Sequence, residues 1–271
     1  MGEPHYQLGF IGAGKLAGSV IRGLLLRKFC DPGQIIASEP NAALHRSLRD
    51  ELGISIARNN SEVAASAEVI FLGVKPQALL PILRELGETV ESKLVVSLAA
   101  AVRIQQMEAI TQARIMRVMT NTPSAIGRAA TAFAAGTRTT THDRERVRAI
   151  FAAIGIAMEV DDDRIDSVTA LAGSGPAFVY AIIEALAEGA VRSGLDRDAA
   201  LRLAAQTTLG AGELALTAGK TPDELIAMVV TPGGTTAAGL DIMQQRSTAD
   251  GITAAIEAAA ARGREMAQES R

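Results

Sequence analysis

The chain has 271 residues with 30 acidic and 27 basic side chains, a formal net charge of −3. That balance leaves no basic field for nucleic acid or an anionic membrane, so neither is expected as a partner. Hydrophobic residues at 48% and charged residues at 21% suit a soluble globular chain, long enough for one large domain or two ordinary ones. The single cysteine, Cys30, rules out an internal disulfide framework and points to a reducing compartment. No basic segment followed by an apolar one opens the chain. The longest uncharged stretch, Ser167 to Ile183, is short for a membrane span and reads as a buried loop and helix start. A cytoplasmic location is expected.

Gln7 to Ile11 is a short apolar run that reads as a buried strand. It leads into Gly12, Gly14 and Ala17 at the spacing G-x-G-x-x-A, and then into a helix carrying Leu16, Val20 and Leu24. Strand, glycine turn and helix form the context of a Rossmann-like dinucleotide site. Gly12 permits the tight turn, Gly14 lets a pyrophosphate approach the backbone, and Ala17 keeps the helix close to the sheet. A purely structural glycine turn is the alternative. Gln34 to Ser38 is the second strand, with Glu39 just past its end. An acid there holds a ribose 2′-hydroxyl and favours NAD, or is simply an exposed strand-end acid. Ser38, Asn41 and Asn60 are neutral donors suited to a 2′-phosphate, and Arg58 is a candidate cation.

A helix from Asn41 to Leu52 and a short strand from Ile54 to Ala57 follow, and Ser61 is positioned to cap the next helix. Glu68 to Val74 is a strong buried strand. Lys75 and Pro76 sit at its carboxyl end, where open α/β sheets bind ligands, so Lys75 is a cofactor-edge residue or a solvated turn lysine. Helix and strand go on alternating through strands at Leu94 to Leu98, Arg114 to Met119, Ala130 to Ala135 and Ala157 to Val160. The alternation then stops, which divides the chain into an α/β domain over 1–163 and an all-helical domain over 164–271. Asp161, Asp162 and Asp163 form an acidic turn with no spaced ligand set behind it, so no metal site is read. Ala172 to Ala177 reads as a second glycine turn. Helices follow from Ala177 to Ser193 and from Arg197 to Ala218, and Thr221 opens a capping box. Past residue 163 the only aromatics are Phe178 and Tyr180. Small side chains bury little area, so this half is expected to complete its core against another subunit.

Val229 to Met243 carries the chemistry of the second half. Pro232, Gly233 and Gly234 interrupt the preceding helix, and Thr235 or Thr236 can cap the next one. Bare glycines beside unpaired helix N-terminal amides form an anion cradle, here with hydroxyls next to it. None of His5, His45 and His142 lies beside a motif, and no paired carboxylates are placed for hydrolysis. A hydride-transfer reaction, in which a cofactor carries the difficult chemistry, suits so sparse a site. The substrate that fits has a carboxylate and an easily protonated imine nitrogen.

Five segments together resemble the pyrroline-5-carboxylate reductase family. They are G-F-I-G-A-G-K-L-A from Gly9, V-K-P at Val74 to Pro76, R-V-M-T-N-T-P at Arg117 to Pro123, D-S-V-T-A-L-A-G-S-G-P-A-F at Asp166 to Phe178, and V-T-P-G-G-T-T at Val230 to Thr236. The resemblance covers nearly the whole chain. It implies reduction of 1-pyrroline-5-carboxylate to L-proline, the last step of proline synthesis, with NADPH as cofactor and NADH as the alternative. It implies a Rossmann-like domain followed by a helical dimerisation domain, with the active site shared between subunits of a homo-oligomer. The dinucleotide phosphates are expected on Ile11, Gly12, Ala13, Gly14, Lys15 and Leu16, the adenosine side near Ser38 and Asn60, and the nicotinamide side near Val74, Lys75, Pro76, Ala99 and Ala100. The substrate is expected on Thr231, Gly233, Gly234, Thr235 and Thr236, with Thr236 as the catalytic group at the ring nitrogen. One departure concerns the backbone: Ala99-Ala100-Ala101 stands where the family usually has A-A-G. A related hydroxyacid reductase would want a helical lysine acid, and the only lysine past residue 163 is Lys220, in a turn.

Overall fold

The structure is a computed structural model and describes residues 5–269. The first part alternates strand and helix: β1 (Tyr6–Ile11), α1 (Lys15–Leu26), β2 (Ile35–Ser38), α2 (Ala42–Arg46), β3 (Ser55–Ile56), α3 (Asn60–Ser66), β4 (Ala67–Leu72), α4 (Pro76–Leu86), β5 (Leu94–Ser97), α5 (Ile104–Glu108), β6 (Arg114–Met119), β7 (Ala129–Ala135), α6 (Thr141–Ala152) and β8 (Gly155–Glu159). One sheet holds them in the order β3-β2-β1-β4-β5-β6-β7-β8. All pairs are parallel except β6 with β7. The link from β6 to β7 is a short 3-10 turn over Thr122–Ile126, too short for a crossover, so β7 must return antiparallel.

Helices cover both faces, which is why the strands read as apolar runs rather than alternations. Successive side chains split between the faces. In β4, Val69 and Phe71 join a core with Val20, Leu24, Ile150 and Phe151 from α1 and α6. Ile70 and Leu72 join another with Val63, Leu79, Leu83 and Met107 from α3, α4 and α5. Phe10 and Phe71, direct neighbours across the β1–β4 pair, stack with ring centroids 4.6 Å apart.

The sheet extends its hold past residue 163. Arg117, fully buried in β6, donates to Asp162 Oδ1 at 2.9 Å and Asp166 Oδ1 at 3.1 Å, and Arg103 donates to Asp166 Oδ2 at 2.6 Å. These pairs tie α7 (Ile165–Val168) to the strands. Accordingly, one compact unit comprises the residues up to Ser174 together with those from Ala259 on, and the other is Gly175–Ala258.

The second unit is built from α8 (Gly175–Arg192), α9 (Arg197–Thr217), α10 (Pro222–Val229), α11 (Thr235–Gln245) and the start of α12 (Thr248–Glu269). Its own buried apolar side chains are Ala187, Ala200 and Ala204, and Leu203, Leu209, Leu214 and Leu216 stand exposed on α9. The architecture is therefore the expected one, a Rossmann-like α/β domain followed by helices.

Four local expectations fail. Asn59, not Ser61, caps α3 by accepting from the Glu62 N–H at 2.9 Å. The glycines at 172–177 make no turn: Gly173 and Gly175 lack positive φ, and the Ser174 N–H bonds the Thr169 carbonyl at 2.9 Å, so the chain stays helical with one wide π turn. The same stretch is not a buried loop, since α8 is largely exposed or half-buried in the isolated chain. The cap of α11 is Gly234 rather than a threonine.

Candidate functional site

The first assembly lies where β1 parts from β2 towards β4, the switch point of the strand order. Ligands bind at the carboxyl ends of strands at such a point. Gly12 has φ +80°, and a Cβ there would fall 2.8 Å from both the Gly73 carbonyl oxygen and Val74 Cγ1. A Cβ on Gly73 would fall 2.7 Å from Ala17 Cβ. Gly12 and Gly73 therefore pack backbone against backbone with the Ala17 methyl against Gly73, and α1 can start tight on the sheet. Gly14 differs: nothing lies within 4 Å of the Cβ it lacks, and as N-cap of α1 it supplies no side-chain acceptor. The first amides of α1 thus meet open space on the side where a helix terminus attracts an anion.

A cavity of about 600 Å³ opens there. Of the expected cofactor residues, Ile11, Gly12, Gly14, Ser38, Asn60, Val74 and Lys75 line it. Ala13 and Ala99 are buried, Leu16, Pro76 and Ala100 half-buried and Lys15 exposed, and none of these forms its wall. At one end the Ser38 hydroxyl donates to Asn60 Oδ1 at 2.7 Å. Glu39, His45 and Arg58 line the same end. Gly73 and His45 escaped the reading of the sequence. Gly73 showed only as a lone glycine inside the strand read over Glu68 to Val74, and His45 reaches the wall only through the fold of α2.

The second assembly lies within the helical unit, between α10 and α11. The Gly234 N–H donates to the Thr231 carbonyl at 2.9 Å, closing a turn with Pro232 second and Gly233, at φ +71°, third. Proline second and a left-handed glycine third define a type II turn. A Cβ on Gly234 would run into the Thr231 hydroxyl, so this glycine is required sterically. No side chain caps α11 and no acid sits in its first turn. Its leading amides therefore keep their affinity for a negative group. Thr235 and Thr231 are exposed and Thr236 is half-buried.

Cys30 takes no part: burial first and then Asp31 push its thiol up to about 11, so it is a packing residue.

Residues 162–266 match the pyrroline-5-carboxylate reductase dimerisation family, and residues 7–101 match the coenzyme F420-dependent NADP oxidoreductase family. The chain is 38% identical over 268 residues to pyrroline-5-carboxylate reductase of Methanosarcina acetivorans, covering 98% of both. It is 37% identical to the Arabidopsis thaliana enzyme of that name, covering 97% of this chain and 96% of the relative. The crystal structure of Plasmodium falciparum pyrroline carboxylate reductase with NADP bound superposes with a TM-score of 0.88 at 27% identity, over 98% of this chain and all of that one (100%). The Coxiella burnetii pyrroline-5-carboxylate reductase does so at 0.88 and 30% identity, over 97% and 98%. With its glycine turn, its switch-point cavity and its type II turn on an uncapped helix, this chain belongs to the pyrroline-5-carboxylate reductase family.

Proposed function

We infer that this chain catalyses the reduction of 1-pyrroline-5-carboxylate to L-proline, the last step of proline synthesis, with NADPH as hydride donor. The observation that carries the cofactor half is the open space at Gly14 on the uncapped start of α1, a cradle that any side chain would fill. Gly12, Ala13, Gly14, Lys15 and Leu16 hold the phosphates there, with Ile11 beneath them. Ser38 and Asn60 hold the adenosine side, and Val74, Lys75, Pro76, Ala99 and Ala100 border the nicotinamide. When bound, NADPH supplies the hydride that adds to the imine carbon.

The helical unit handles the substrate. The amides of Gly234, Thr235 and Thr236 take its carboxylate, which the open first turn of α11 favours. The Thr236 hydroxyl donates a hydrogen bond to the ring nitrogen and relays the proton that nitrogen gains as the C=N bond becomes C–N. Thr231 fixes the turn below, its hydroxyl packed against Gly234. A neighbouring subunit completes the site, in keeping with an alanine core too thin to bury the leucines of α9. The enzyme works in the cytoplasm, where a lone unpaired cysteine persists.

Thr236→Ala tests the assignment. Turnover with pyrroline-5-carboxylate is expected to fall about a hundredfold, the scale of one lost donor, with NADPH affinity nearly unchanged. Collapse of NADPH binding instead would move Thr236 to the cofactor side and sink its catalytic role.

A further inference from the structure

Glu39 follows β2 on the wall of the cavity, and the proposed function leaves it without a role. Its carboxylate accepts from the Ala13 N–H at 2.9 Å and the Asn41 N–H at 2.9 Å. Its carbonyl accepts from His45 Nε2 at 2.6 Å. The side chain is thus pinned at both carboxylate oxygens, half-buried, with one oxygen on an amide of the glycine turn itself. Two of the neighbours that could welcome a second anion are already engaged. Ser38, only 5% exposed, spends its hydroxyl hydrogen on Asn60. The Arg58 guanidinium pairs with Glu62 at 3.2 Å and is 88% exposed. An exposed guanidinium can swing, but water and salt screen it, whereas a carboxylate fixed on two amides keeps its place and its field.

We propose, building on the cofactor reading above, that Glu39 sets the choice of nicotinamide dinucleotide. It accepts from the ribose hydroxyls and repels a 2′-phosphate, so that the phosphate adds no net affinity and NADH binds this chain at least as tightly as NADPH. Binding, rather than turnover, isolates the effect. NADH and NADPH carry the same fluorophore, so the dissociation constants of both can be read from nucleotide fluorescence on the wild type and on Glu39→Gln. Glutamine keeps one acceptor, enough for the Ala13 amide, and removes the charge together with the acceptor that serves the Asn41 amide. The wild type is expected to bind NADH as tightly as NADPH or tighter. The variant is expected to shift the ratio towards NADPH by about tenfold, the scale of one like-charge contact near a protein surface. A wild type that prefers NADPH, or a variant whose ratio moves less than about twofold, overturns the proposal while leaving the cofactor site standing. Failure of folded wild-type protein to bind either nucleotide overturns the cofactor reading itself.

Discussion

Ala101 adopts φ +66°, a left-handed backbone that glycine occupies freely and alanine does not. It stands where the family usually places glycine, so the fold has kept the conformation and the side chain bears the strain. Three effects decide what Ala101→Gly would do. Relief of the left-handed backbone contributes about 1–2 kcal/mol. Greater freedom of the unfolded chain costs about 0.4–1 kcal/mol. Losing a methyl that is 96% buried costs up to about 0.8 kcal/mol. The sum lies near zero. Ala99→Gly, equally buried at 3% exposure but without positive φ, has only the two costs and should lose about 1 kcal/mol or more. Urea midpoints of the two variants give the comparison, and equal losses would show that Ala101 carries no strain. Other residue-scale features were legible in proportion to how local they are. Gly12 announces itself through the spacing to Gly14 and Ala17. Its clash partner Gly73 and the bond from Ala13 to Glu39 join residues far apart in the chain, which no local pattern records.

The helix starts show the same divide between elements. At α6 the capping chemistry is local: Thr140 accepts from the Asp143 N–H at 3.1 Å, and Asp143 accepts from the Thr140 amide at 2.9 Å and its hydroxyl at 2.8 Å. Arg114 of β6 adds a charged donor at 2.8 Å, a partner supplied only by the fold. Burial pushes the Asp143 carboxyl up, but the Thr140 amide and hydroxyl and then Arg114 outweigh it, leaving it below the ordinary carboxylate range. A carboxyl depressed by folding contributes stability above its unfolded pKa of about 3.9 and loses it as the pH falls through the lower folded value. Asp143→Asn should therefore cost about 1–3 kcal/mol near neutral pH. That gap should narrow as acid protonates the wild type, so denaturation curves at pH 7 and pH 3 decide the matter. A gap that persists in acid would mean that Asp143 acts by shape and not by charge. Elsewhere glycine misled. Gly173 and Gly175 suggest a break, yet freedom to turn is no instruction to turn, and the backbone stays helical through them. At α3 the run Asn59-Asn60-Ser61 offers three caps in a row, and nothing local ranks the first above the third.

For the whole molecule, the alternation of strands with helices, its replacement by helices alone and the small side chains of the second half were legible, because each follows from hydrophobic pattern and side-chain size. The reach of the sheet beyond residue 163 was not, since it depends on Arg117 finding Asp162 and Asp166 across long separations. The chain forms a homo-oligomer through its dimerisation domain, and α9 suggests how the helices depend on that partner. Leu209 and Leu216, 49% and 73% exposed, lie seven residues apart and so share one stripe, and Leu203 and Leu214 form another on a different side of the helix. A helix apolar on more than one side needs cover on more than one side, and three small alanines cannot provide it. Placing Glu at both Leu209 and Leu216 would bury two charges in any such contact, at a cost of several kcal/mol. The double variant is expected to sediment as a smaller species than the wild type. Because the α/β unit carries its own core, NADPH binding should survive. If a neighbouring subunit completes the substrate site, turnover should be lost with the assembly and should return in part at high protein concentration, where mass action restores association. A variant that stays assembled would take this stripe of α9 out of the interface. A smaller species with full turnover would show that each subunit holds a complete site.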